Sequence, residues 1–136
     1  DVKGYIPLGP KSRVLALRFY TSHSVADSGK EVPFYLMETL GGAKTIRGYR
    51  EWRFRDTRNL YVAAEYRWEV MPFVDFTFFL DAGKVFADKK DFNFDRMHTG
   101  YGFGIRMHAP GGMAFRMDFA NSTEGFIFHI SAGPAF

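Results

Sequence analysis

The segment Leu60-Tyr61-Val62-Ala63-Ala64-Glu65-Tyr66-Arg67-Trp68-Glu69-Val70 decides how this chain is read. Leu60, Val62, Ala64, Tyr66, Trp68 and Val70 fall on one face of an extended chain. Tyr61, Ala63, Glu65, Arg67 and Glu69 fall on the other. Successive strand residues point to opposite sides, so this period marks a strand with one apolar and one charged face. At about ten residues it outruns the ~5–6 residues common in soluble sheets and suits a bilayer.

The pattern continues outward from this segment. Upstream, Leu15, Leu17 and Phe19 alternate with Val14, Ala16, Arg18 and Tyr20 over Val14 to Thr21. Before them, Val2 to Leu8 reads as the end of a strand, closed by Pro7 and a Gly9-Pro10 turn. Downstream, Met71-Pro72 turns the chain into Phe73 to Phe86. There Val74, Phe76, Phe78, Leu80, Ala82 and Phe86 oppose Asp75, Thr77, Asp81 and Gly83. Gly100 to Ala109, Met113 to Asn121 and Phe126 to Phe136 repeat the alternation, giving about six strands and a partial one. Turns at Pro10, Pro72 and Pro110 are short; those near Gly41, Asp88 and Asn121 are longer or more polar. Outer-membrane barrels have this asymmetry, with short periplasmic turns and long outer loops.

Composition agrees. The 136 residues hold no cysteine, and 18% are aromatic, with 16 Phe and 14 Gly. One domain is the most this length allows, and disulfides and thiolate metal sites are excluded. A net charge of +3 with interspersed signs gives no footprint for nucleic acid. No apolar run is long enough for a membrane helix, which leaves a membrane barrel untouched. A soluble antiparallel sandwich would alternate too. The aromatic apolar faces, and charges opposite them on strand after strand, favour a transmembrane sheet around a wet lumen.

Between about His23 and Arg58 the strand period disappears. Compact domains rarely keep a loop longer than ~15 residues without a use for it. The segment Gly41-Gly42-Ala43-Lys44-Thr45-Ile46-Arg47-Gly48-Tyr49 lies at its centre. Glu65 and Asp81 face the lumen from adjacent strands, and Arg47 on a loop folded into the lumen reaches both. A guanidinium fork matches carboxylates, and a confined charge needs such partners. Gly48 lets the loop tip turn, and Tyr49 offers a packing surface. Gly133-Pro134 in the last strand reads equally as a seam or as a frayed end, because proline cannot donate to a ladder.

Ile46-Arg47-Gly48-Tyr49 resembles the Val-Arg-Gly-Phe/Tyr motif of the outer-membrane protein assembly and translocation superfamily, the BamA/TamA-like barrels. Phe79-Leu80-Asp81-Ala82-Gly83 is similar to its aromatic-x-Asp-x-Gly strand motif, and Ala64-Glu65-Tyr66-Arg67 to its Glu-bearing strand. Gly133 and the terminal Phe136 look like the family's terminal assembly signal. The resemblance covers about Val2 to Phe136 and implies that residues 1–136 form the C-terminal part of a larger barrel, with the infolded loop at about 23–58. It implies a loop clamp of Arg47, Gly48, Tyr49, Glu65, Asp81 and Gly83, and a seam and terminal signal at Gly133, Pro134 and Phe136. It further implies a Gram-negative-type outer membrane, no cofactor and no catalysis, and a role in inserting or translocating other proteins. The partners it implies are outer-membrane lipid and client β-barrel or secreted proteins. Closure of the barrel needs either a second copy or a preceding part. A passive anchor or pore is the alternative function.

Other motifs carry no chemistry. The four histidines lack metal-ligand spacing, and there is no Gly-x-Ser-x-Gly elbow. Gly100-Tyr101-Gly102-Phe103-Gly104 lies inside an alternating strand, so it reads as room for the loop or for curvature, not as a phosphate loop.

Overall fold

A computed structural model describes residues 1–9, 12–133 and 136. The turn expected at Pro10 and the proline of the expected seam, Pro134, lie outside the described residues. The strands are β1 (Val2–Pro7), β2 (Arg13–His23), β3 (Glu38–Leu40), β4 (Phe54–Asp56), β5 (Arg58–Met71), β6 (Val74–Phe86), β7 (His98–Ala109), β8 (Gly112–Ser122) and β9 (Gly125–Ser131). Seven of them form one antiparallel sheet in the order β1-β2-β5-β6-β7-β8-β9; β3 and β4 pair separately. Every strand of the large sheet therefore lies beside its neighbour in sequence, save for the β3–β4 insertion. Among the described residues the sheet is not closed, and β1 and β9 are its edges.

The sheet is inside-out relative to a soluble protein. Arg47, Glu65, Asp81, Arg106, Arg116 and Asp118 are buried on or against one face, whereas Leu17, Phe78, Leu80, Tyr101, Phe103, Phe128 and Ile130 are exposed. Large apolar side chains left in water would forgo about 1.5–3 kcal/mol each. Facing lipid, they forgo nothing. Among the described residues no helix is long and apolar enough to cross a membrane, which says nothing of a crossing made by strands. This is an antiparallel transmembrane β-sheet, the C-terminal portion of a barrel, with a loop folded onto its luminal side.

Three features depart from the sequence reading. The segment between β2 and β5 is not structureless: it holds a 3-10 turn at Phe34–Leu36 and the β3–β4 hairpin. Its neck is closed where the Ser24 N–H donates to the Thr57 carbonyl at 2.8 Å. Phe73 belongs to the β5–β6 turn, with φ +72°, and not to the strand. The last strand stops at Ser131, not Phe136. Gly133 has φ +81°, outside the extended region, so the chain leaves the sheet there. Phe136 then packs on the luminal side in a cluster with Ala16, Leu40, Ile46, Tyr49, Tyr61 and Ala63.

Candidate functional site

The loop presents Arg47 through a tight local fold. Gly42 donates its N–H to the Ile46 carbonyl at 3.2 Å, and the Gly41 N–H donates to Thr45 Oγ1 at 2.9 Å. Leu40, Ile46 and Tyr49, each at most 1% exposed, face the sheet and supply the apolar side of the dock. Gly83 makes space for two of them. A Cβ there would sit 2.9 Å from Ile46 Cδ1 and 3.0 Å from Leu40 Cδ1. At Gly100 a Cβ would run into the Arg47 carbonyl, so the loop backbone lies directly on the bare strand.

Arg47 itself is 1% exposed. Its Nε and Nη2 donate to Asp81 Oδ2 and Oδ1 at 2.7 and 2.8 Å, and its backbone N–H donates to Oδ2 at 3.1 Å. Nη1 donates to Glu65 Oε2 at 2.7 Å. The guanidinium lies over the Phe79 ring, 3.6 Å from its centroid. Burial alone would lower the guanidinium pKa, but Asp81 and then Glu65 hold it above its ordinary value. Register explains the convergence: Asp81 pairs with Ala63 and Phe79 with Glu65, so both acids and the ring share one patch of wall.

The network extends beyond the residues legible in the motifs. Arg106 bridges Glu65 Oε2 (3.1 Å) and Asp118 Oδ1 (2.6 Å), and Arg67 Nε donates to Glu65 Oε1 at 2.8 Å. Arg116 Nε lies 2.9 Å from Asp118 Oδ2 but out of line for a hydrogen bond, while its Nη2 donates to the loop carbonyl of Ala43 at 2.6 Å. The Tyr61 hydroxyl donates to Asp81 Oδ1 at 3.2 Å. Among the residues at most 1% exposed, three guanidiniums (Arg47, Arg106, Arg116) meet three carboxylates (Glu65, Asp81, Asp118). The parity of Arg106, Arg116 and Asp118 on their strands was the signal available for them. It places them on the luminal face without saying which partner each meets.

Gly48 and Tyr49 tie the loop to the far strands. Gly48, at φ +94°, accepts from Ser122 Oγ at 2.6 Å, and its N–H donates to His129 Nε2 at 3.4 Å. A side chain there would face Asn121 O at 3.0 Å as well as the strained φ. The Tyr49 hydroxyl lies 2.9 Å from Thr123 Oγ1, and its ring meets Phe54 edge-on at 4.9 Å. Phe136 shares the cluster of Leu40, Ile46 and Tyr49, the apolar side of the dock. The Phe136 carbonyl accepts from the Tyr5 hydroxyl at 3.4 Å, and its ring has the Arg18 and Arg67 guanidiniums near it. Among the described residues no group of three His, Cys, Asp or Glu could hold a metal ion.

Fold and site together define an outer-membrane β-barrel segment with a loop pinned inside. The chain belongs to the Omp85 superfamily, whose domain matches residues 1–136. Among solved structures it is similar to BamA from Haemophilus ducreyi lacking POTRA domains 1-3, with a TM-score of 0.74 and 18% identity. That match covers 96% of this chain and 32% of the other, so the chain spans about a third of the solved relative's length. No curated protein matches the chain in sequence. Membership places the protein in the outer membrane of a Gram-negative-type bacterium.

Proposed function

We propose that residues 1–136 form the C-terminal part of a non-enzymatic outer-membrane barrel that assists insertion or translocation of other outer-membrane or secreted proteins. The loop between β2 and β5 is its internal clamp. Arg47, Gly48 and Tyr49 are the moving half; Glu65, Asp81 and Gly83 are the fixed half. Partners are outer-membrane lipid, client polypeptides, and either a preceding part of the barrel or a second copy. The observation that carries the reading is the burial of Arg47 between Asp81 and Glu65. A fully desolvated arginine is expensive to strand, so the loop is held in one position instead of sampling the lumen. A barrel that only anchors something needs no such investment. The seam expected at Gly133, Pro134 and Phe136 moves to the edge of β9, which ends at Ser131 and to which an incoming strand could pair.

The test uses the full-length protein in lipid vesicles, with the rate at which an unfolded β-barrel client becomes protease-resistant as readout. Arg47→Ala should slow client folding several-fold and render the loop protease-sensitive. A loop released with no change in client folding would overturn the clamp's role. A wild-type protein that never accelerates folding would make the chain a passive anchor or pore.

A further inference from the structure

The outward face of β2, β5 and β6 changes character along its length. Register sets its rows: Arg13 beside Trp68 and Phe76, then Leu17 beside Ala64 and Leu80, Phe19 beside Val62 and Ala82, and finally His23 beside Arg58 and Phe86. At one end the Arg13 guanidinium sits over the Trp68 ring, 5.6 Å from its centroid. β2 runs from Arg13 to His23, roughly 33 Å of extended chain. At the tilt of barrel strands this is roughly 25 Å of depth, the height of the apolar band of such barrels. The two basic rows therefore mark the two headgroup levels. His23 and Arg58 are at the level of the long loops, which is the outer leaflet.

Two hollows lie one above the other on this face. The lower is an apolar groove of about 460 Å³, floored by Gly4, Ala64 and Ala82 and walled by Leu17, Phe19 and Leu80. The upper is a cleft of about 430 Å³ lined by His23, Arg58 and Lys89 with Phe86 and Phe92. Its basic side chains have no acidic partner among the described residues. Arg58 Nη1 donates to the Ala87 carbonyl, and among the described residues no carboxylate lies within salt-bridge reach of Arg58, His23 or Lys89. Lys84, one row below Arg58's neighbour Phe86, is by contrast already occupied by Asn93 Oδ1 and the Asp95 carbonyl. At a headgroup level such basic side chains fit an anion of the lipid.

We propose that this face binds one phosphorylated lipid of the outer leaflet, its phosphate held by Arg58, Lys89 and His23 and one acyl chain lying in the groove below. The guanidinium supplies a fork for phosphate oxygens. Phe86 and Phe92 cover the first carbons below the headgroup, at the depth where aromatic girdles sit. A free phosphate would use the cations and leave the groove empty; a lipid without phosphate would use the groove and leave the cations unpaired. Only a molecule with both parts fills both hollows. This assignment rests on the outer-membrane location and is independent of the proposed insertion role.

The full-length protein in mild detergent is incubated with a bisphosphorylated, acylated glucosamine disaccharide, or with its dephosphorylated form, and bound lipid is counted by native mass spectrometry. The phosphorylated lipid should bind about tenfold more tightly than the dephosphorylated one, the worth of one good charged contact. Arg58→Ala with Lys89→Ala should remove that preference. Gly4→Leu, at a position whose Cβ would meet nothing within 4 Å, should fill the groove and weaken binding of both forms. Lys90→Ala, outside the cleft, should bind as the wild type. Equal binding of the two lipids, or an unaltered preference in the double variant, would overturn the proposal. Displacement of bound lipid by inorganic phosphate alone would also overturn it, leaving only an anion site. Resistance of each variant to unfolding in SDS reports that the barrel has formed.

Discussion

Asp81 grips Arg47 at both its backbone and its side chain: one oxygen, Oδ2, accepts from the backbone N–H at 3.1 Å and from Nε at 2.7 Å, while Oδ1 takes Nη2 at 2.8 Å. A side-chain fork alone would fix a guanidinium. Adding the backbone N–H fixes where the loop's main chain lies, so one strand carboxylate sets both the charge and the path of the loop.

Asp81→Asn should therefore cost far more than the loss of a surface pair. Removing one partner of a buried pair typically costs ~3–5 kcal/mol, against ~0–1 for an exposed pair. Arg53–Glu124, with Arg53 half exposed, is the internal control. Urea midpoints of the detergent-refolded protein should drop strongly for Asp81→Asn and little for Glu124→Gln.

Charge reversal gives a sharper check. Arg47→Glu should expel the loop, and Asp81→Arg in the same chain should partly restore it. Limited proteolysis between residues 24 and 57 reads the outcome; unchanged cleavage in the single variant would contradict the clamp. Arg47→Lys keeps the charge but loses the fork, so its loop should be cut at an intermediate rate.

Gly100 predicts a steric counterpart that leaves every charge in place. Gly100→Ala drives a methyl group into the Arg47 carbonyl, whereas Gly4→Ala adds a methyl to open space. The first should raise loop cleavage and lower the urea midpoint. The second should leave stability within about 0.5 kcal/mol of wild type, as surface changes usually do.

Arg106 and Asp118 should behave as one unit with Glu65. Asp118→Ala strands Arg106 and Arg116 in a buried site, and Glu65→Gln strands Arg106 from the other side. Contacting residues in one network couple by ~0.5–3 kcal/mol. A double-mutant cycle on Glu65 and Asp118 in urea unfolding should be non-additive within that range; strict additivity would show that Arg106 does not connect them.

The family resemblance gives Phe136 a role in assembly, so that its deletion should impair membrane assembly more than refolding in detergent. Its place in the luminal cluster changes that expectation. It is 8% exposed and packs with Ala16 and Tyr61. Truncating a buried Phe costs ~3–5 kcal/mol where the site cannot collapse. Phe136→Ala should lower the urea midpoint of the refolded protein as well as membrane assembly; an effect on assembly alone would restore the signal-only role.

The strands were legible because a lipid-facing sheet enforces a strict two-residue period, and β5 to β8 begin and end within a few residues of the expected positions. β3 and β4 were not legible, since three-residue strands hold too few positions to show any period. Arg47, Glu65 and Asp81 could be singled out because the motif arginine needed acids on one face of adjacent strands. Arg106, Asp118 and Arg116 share that face, yet their partners depend on register across β7 and β8, which local sequence does not encode. The end of the last strand before Gly133 was hidden because glycine permits a left-handed conformation without demanding it.

Glu65 is shared by three guanidiniums at once, those of Arg47, Arg67 and Arg106, at 2.7, 2.8 and 3.1 Å. With Arg116, four arginines therefore stand against the three acids Glu65, Asp81 and Asp118 while the loop is seated. Undocking the loop would take one of those positive charges away, so the movement that clears the lumen would also lower its pull on anions.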